Sequence, residues 1–156
     1  MQSSGSLKVG KSRPDDPYNL TTRPAWPEVD EDVLRESASA FDSVANTVGE
    51  KISSAKGERS ELFGGGVKLW SGGAASDAAN SVLGKRIADL ESVKQRLDAS
   101  AQLFRNSASA TSSAKEEITN RTELATDILN WVRDHDDIPQ DAKDRAIEEG
   151  VRRHPC

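Results

Sequence analysis

At 156 residues the chain is the size of one domain. Hydrophobic residues make up 35%, aromatic residues 4% and charged residues 30%. That balance is too poor in strand formers for a β-rich core and suits thin helical packing, and the net charge of −5 lacks the basic footprint of a nucleic-acid binder.

No run of about 18 apolar residues occurs, so no membrane span is expected. The stretch from Met1 to Ser12 has no apolar h-region, which leaves a classical signal peptide out and any export to another route. Cys156 is the one cysteine. It cannot close an intramolecular disulfide and reads as part of a frayed end.

In chain order, residues 1–27 are rich in Ser, Gly, Pro and charge, with prolines at 14, 17, 24 and 27. They read as a disordered or extended lead-in with little to bury. Gly5 to Ser12 spells a nucleotide-binding loop, Gly-Ser-Leu-Lys-Val-Gly-Lys-Ser. Such a loop needs a strand before it and a helix N-terminus after it. Only four residues precede Gly5, and Arg13-Pro14-Asp15-Asp16-Pro17 follows, so the match is accidental. The lead-in closes on Pro24-Ala25-Trp26-Pro27, a stiff segment whose Trp can lie across a helix.

A helical domain is expected over 28–137. Asp30 is an N-cap, with Glu31 and Asp32 placing negative charge on the first turn. Leu34, Ala38, Phe41, Ala45, Val48, Ile52, Ala55 and Leu62 then follow the alternating three-and-four step of a helix with one buried seam. Gly57 weakens this helix and Gly64-Gly65-Gly66 stops it. Val67 to Leu69 bridge to Trp70-Ser71-Gly72. A second helix starts near Ala74 with small residues that allow close backbone approach, and its seam runs Leu83, Ile87, Leu90, Leu97, Ala101, Phe104 and Ala108. Two such helices meeting at a Trp and glycines predict an antiparallel hairpin. Trp70 would wedge between the helix ends, leaving one edge wet. Gly72 would supply a positive φ or a close approach.

Residues 106–113 allow two readings. Ser113 to Glu116 spells a capping box and suggests a new helix, while Thr111, Ile118, Ala125 and Val132 continue the seven-residue step with no Gly or Pro between. The balance favours one helix to about residue 135, about 90 Å long, with a kink allowed. Its far half would either bend back or project and need a partner. Asp134 to Asp137 and Pro139 end it. A short amphipathic helix follows from Gln140 to about Val151, with Ala142, Ala146 and Ile147 as its apolar side, and the segment 138–156 closes in a tail.

Candidate chemistry is thin. His135 and His154 are nineteen residues apart without a paired cysteine, and Asp134-His135-Asp136-Asp137 fits no zinc or EF-hand spacing. No Ser/His/Asp or Cys/His set is recognisable. No catalytic residue, metal ligand, cofactor or small-molecule substrate is therefore expected, and a binding surface remains. Trp26 and Trp131 read as packing residues ahead of binding hot spots. Leu83, Leu90, Leu97 and Phe104 complete the interaction or packing set.

The Trp-x-Gly between two heptad-patterned helices, the missing signal peptide and the lead Trp26-Pro27-Glu28-Val29-Asp30-Glu31-Asp32 together resemble the WXG100-like proteins of type VII (ESX) secretion. The resemblance covers about residues 26–133. It is to the longer actinobacterial kind, which includes amino-terminal domains of secreted toxins and PE/PPE-like proteins. It implies an all-α, elongated antiparallel helical hairpin or small helical bundle, of the four-helix kind on pairing. It also implies a non-enzymatic, virulence-associated interaction and targeting domain. Trp70 and Gly72 would form a secretion or recognition feature at the hairpin tip. The implied partner is a protein: a helical secretion partner, a chaperone or a second copy. The implied location is cytoplasmic before export, then secreted or cell-surface. One departure stands out: Tyr18 is followed at the fourth position by Thr22, and Trp131 by His135, so no Tyr-x-x-x-Asp/Glu follows the hairpin. The export signal would then lie on a partner, beyond residue 156, or nowhere. The competing reading is a cytoplasmic coiled-coil adaptor or structural protein.

Overall fold

A computed structural model of the chain describes residues 11, 13–20, 26–64 and 72–153. The described residues form three helices: α1 (Glu31–Phe63), α2 (Ala74–Asp134) and α3 (Gln140–Arg153). The all-α expectation holds. They divide into two compact units, one of Leu34–Asn106 and one of Met1–Val33 with Ser107–Cys156.

The first unit is the expected antiparallel hairpin. Contacts pair Phe41 with Phe104, Lys56 with Glu91 and Arg59 with Asn80, so numbers rise on one helix as they fall on the other. Ala38, Ala45 and Ile52 of α1 and Ile87 and Ala101 of α2 are buried, and the larger seam residues between them are half-buried. The predicted three-and-four series is therefore the packed face. Small residues at the centre of the seam let the helices close, and Phe41 stacks on Phe104 at 5.5 Å. Lys56–Glu91 and Arg105–Asp42 pair across the seam.

One seam position departs from the apolar pattern. Lys94 stands between Leu90 and Leu97, and its stem is accommodated because Gly49 faces it: a Cβ there would lie 3.2 Å from Lys94 Cε. The ammonium reaches out to Asp98 at 2.7 Å. Arg59 lies in the same way over Gly84 and donates from Nε to Asn80 Oδ1 at 2.7 Å.

α2 runs unbroken through 106–113. The capping box at Ser113 is not used, because this segment holds no helix breaker and Ala108, fully buried, carries the seam through it. The second unit shows what covers the far half of α2. Leu20 of the lead-in meets Ala125 and Leu129 of α2, with Tyr18 and Ile147 of α3 packed around them. The lead-in thus buries more than its composition suggests: Leu20 and Trp26 are both in the core. Asp16 Oδ1 accepts from the Leu20 amide at 2.7 Å and shapes that turn.

α3 begins after Pro139, whose carbonyl accepts from the amides of Ala142 and Lys143. Its packed side includes Ile147 as expected and departs from the expectation at Ala142. Ala142 is exposed, while Lys143 is buried with its Nζ donating to the Arg133 carbonyl at 2.8 Å. A last-turn carbonyl of α2 is otherwise orphaned, and a long cation reaches it where an alanine cannot.

Ala101 is 0% exposed and sits where the two hairpin helices close. Ala101→Leu should cost about 1–3 kcal/mol by overpacking. Leu103→Ser, at a site 66% exposed, should leave stability nearly unchanged. Urea denaturation of the two variants checks the assigned faces.

Candidate functional site

The second unit is organised around a buried ion pair. Asp30 caps α1 as expected, its Oδ1 accepting from the amides of Asp32 at 2.9 Å and Val33 at 3.4 Å. Glu31 does more than balance the helix dipole. It is 2% exposed, and its Oε2 accepts from Lys115 Nζ at 2.7 Å while Oε1 accepts from the Lys11 amide at 2.9 Å. Lys115, equally buried, also donates to the Val29 carbonyl at 2.9 Å and sits 5.7 Å from the centre of the Trp26 ring. Burial pushes the Glu31 carboxyl up, but the hydrogen bonds from Lys115 and the backbone outweigh it and hold the pKa at about 2.

Sequence reasoning missed this pair. The signal was available, because Ala101, Ala108, Lys115, Thr122 and Leu129 form a seven-residue row that is buried throughout. Reading only apolar residues hides the lysine. Lys11, the lysine of the accidental nucleotide-loop spelling, serves carboxylates instead: its Nζ reaches Glu116 at 3.3 Å. The other residues of that spelling lie outside the described residues, as do Cys156 and His154.

The lead-in is tied at a second point. Tyr18 donates from its hydroxyl to Asn130 Oδ1 at 2.7 Å and accepts from Arg133 at 3.3 Å. Arg133 also donates to Asp134 at 2.9 Å, which holds the Asp134 carboxyl below its usual range. Trp26 packs as expected. Trp131 does not: it is 57% exposed, and its indole lies against His135 with centroids 4.0 Å apart and the ring planes tilted by 37°. Its position turns it away from the buried row, so packing fails as its explanation. His135 Nδ1 lies 3.1 Å from the Trp131 carbonyl. Among the described residues no group of three or more His, Cys, Asp or Glu is placed to hold a metal ion.

At the turn end of the hairpin, α1 stops with the Gly64 amide donating to the Ser60 carbonyl at 2.8 Å. Gly72 and Gly73 lead into α2 with φ of 85° and 103°. A Cβ on Gly72 would meet nothing within 4 Å, so of its two expected roles the positive φ is the one found. Trp70 lies outside the described residues. Beside this end, Leu62, Phe63, Ala78, Ala79, Val82 and Leu83 line an apolar groove of about 520 Å³. Leu83 thus forms part of a wall, whereas Leu90, Leu97 and Phe104 are half-buried along the hairpin seam.

Over 122 residues the chain is 30% identical to the ESX-1 secretion-associated protein EspK of Mycobacterium tuberculosis (strain CDC 1551 / Oshkosh). It is a distant relative of that protein. The match takes in 78% of this chain and 16% of EspK, so the chain corresponds to a minor part of its relative's length. No protein-family profile and no solved structure matches the chain. No helix among the described residues is long and apolar enough to cross a membrane.

Lys115→Met leaves Glu31 buried without its counter-charge and should cost about 3–5 kcal/mol, much of it recovered by adding Glu31→Leu. Because the Glu31 pKa falls from 4.5 to about 2 on folding, its stabilisation is complete above pH 4.5 and is lost as pH falls through 2. Denaturant titrations between pH 5 and pH 2 should show a steeper loss in the native chain than in the double variant. At the hairpin end, Gly72→Ala should cost about 1 kcal/mol through its positive φ, and Gly72→Asn less, by thermal unfolding.

Proposed function

We propose that the chain is a non-enzymatic helical interaction and targeting domain of a type VII (ESX) secreted protein. The observation that carries this reading is the 122-residue relationship to an ESX-1 secretion-associated protein. Support comes from the antiparallel hairpin, whose turn end combines the positive-φ Gly72 with an apolar groove. In this reading the Trp70–Gly72 end is recognised by the export apparatus, and exposed helix faces dock a protein partner. The domain is cytoplasmic before export and then secreted or held at the cell surface.

The reading calls for no catalytic group and no cofactor. A catalytic alternative would start from the most perturbed carboxyl, Glu31. Its oxygens are engaged by Lys115 and the Lys11 amide, and a pKa of about 2 makes it a poor proton acceptor at neutral pH. It serves to hold the lead-in on α2.

The test is export of the protein carrying this chain from a type VII-competent host and from the same host with that system disabled. Appearance outside the cell in the competent host alone is expected. Trp70→Ala should lower export with the intracellular level unchanged. Export from both hosts would overturn the proposal, and retention in both would favour a cytoplasmic adaptor.

A further inference from the structure

The far half of α2 carries an exposed apolar face that the described residues leave uncovered. Leu124, Ile128 and Trp131 are 63%, 54% and 57% exposed, and their spacing of four and three puts them in one stripe. His135, one further turn along, continues it through its tilted ring contact with Trp131. The buried residues Lys115, Thr122, Ala125 and Leu129 lie round the other sides of the same helix. Three large apolar side chains in line at helical spacing form the kind of seam into which a second helix packs.

The charges beside the stripe are one-sided. Glu116, Glu123, Asp127 and Asp134 recur at steps of seven, four and seven, which sets them along a single edge of it. Glu116 is taken up by Lys11 and Asp134 by Arg133. Glu123 and Asp127 are exposed and make no ion pair among the described residues. The opposite edge carries Arg121, already paired with Glu117.

This asymmetry selects the occupant. A second copy packed antiparallel about a two-fold axis would bring like edge against like edge, setting Glu123 and Asp127 against their own equivalents. A parallel copy would offer them an edge whose arginine is engaged. Neither neutralises the two carboxylates that stay unpaired among the described residues. We propose that Leu124, Ile128 and Trp131 form the docking seam for an amphipathic helix of a different protein. That helix presents apolar residues at the same spacing and a Lys- or Arg-bearing edge to Glu123 and Asp127. The proposal deepens the interaction role above by naming the surface and the chemistry of its partner. Its binding test needs no export, so the two readings can fail separately.

The experiment measures fluorescence anisotropy of a labelled synthetic helix of three heptads against the purified chain. One peptide has a leucine seam with lysines on its edges, and a control has glutamates there. The lysine peptide should bind at least about 10-fold more tightly than the control and weaken as salt rises. Leu124→Ser with Ile128→Ser, and separately Glu123→Lys with Asp127→Lys, should each weaken it about 10-fold while helicity stays unchanged by circular dichroism. Binding indifferent to the Leu124/Ile128 variant would overturn the proposal, as would no binding of either peptide. Dimerisation by light scattering that Ile128→Ser abolishes would also overturn it, assigning the stripe to a second copy.

Discussion

A single seven-residue row governs this fold. Along α2, Ile87, Lys94, Ala101, Ala108, Lys115, Thr122 and Leu129 all face packed surface, and all but the half-buried Lys94 are buried. A long helix cannot bury its own seam, so each stretch needs cover from elsewhere in the chain. Within the Leu34–Asn106 unit α1 supplies it. Within the other unit the lead-in and α3 do. The row is mostly small, so covering segments approach closely and the core stays thin. That is why a chain with 35% hydrophobic residues suffices.

The polar members of the row decide which cover fits where. Alanines alone tolerate a slip of one heptad, since another small residue then takes the vacated place. Lys94 needs the gap over Gly49, and Lys115 needs the Glu31 carboxylate, the Val29 carbonyl and the Trp26 ring together. Each lysine is accommodated at one register only. A buried ion pair adds little net stability compared with apolar packing, but its loss on misalignment is costly, so it specifies more than it stabilises. In this chain it seats the start of α1 and the lead-in on α2 in one step.

The two surfaces given functional roles have different origins. The hairpin end arises from backbone geometry, with two positive-φ glycines and a groove between the last turn of α1 and the first turns of α2. The stripe of Leu124, Ile128 and Trp131 arises from side chains on a helix whose other sides are already satisfied.

Helix content, the α1 limits near Asp30 and Gly64, the start of α2 at Ala74 and the seam of the hairpin were all legible in the residues. Local rules govern them: capping, glycine punctuation and a 3.6-residue period depend on neighbours a few positions away. The role of Gly72 could be read in the same way, down to a choice between two causes. The burial of Glu31, Lys115, Leu20 and Lys143 could not, because partners such as Glu31 and Lys115 are 84 residues apart and polar residues in a seam look like a solvated face. Trp131 failed for the mirror-image reason: an aromatic on a helix suggests core until the neighbours that would cover it turn out to lie on the other side. Periodicity thus determined which face each helix of the hairpin turns inward. Which polar residues join the core, and which apolar ones stay outside it, depended on long-range pairing that only the folded chain brings about.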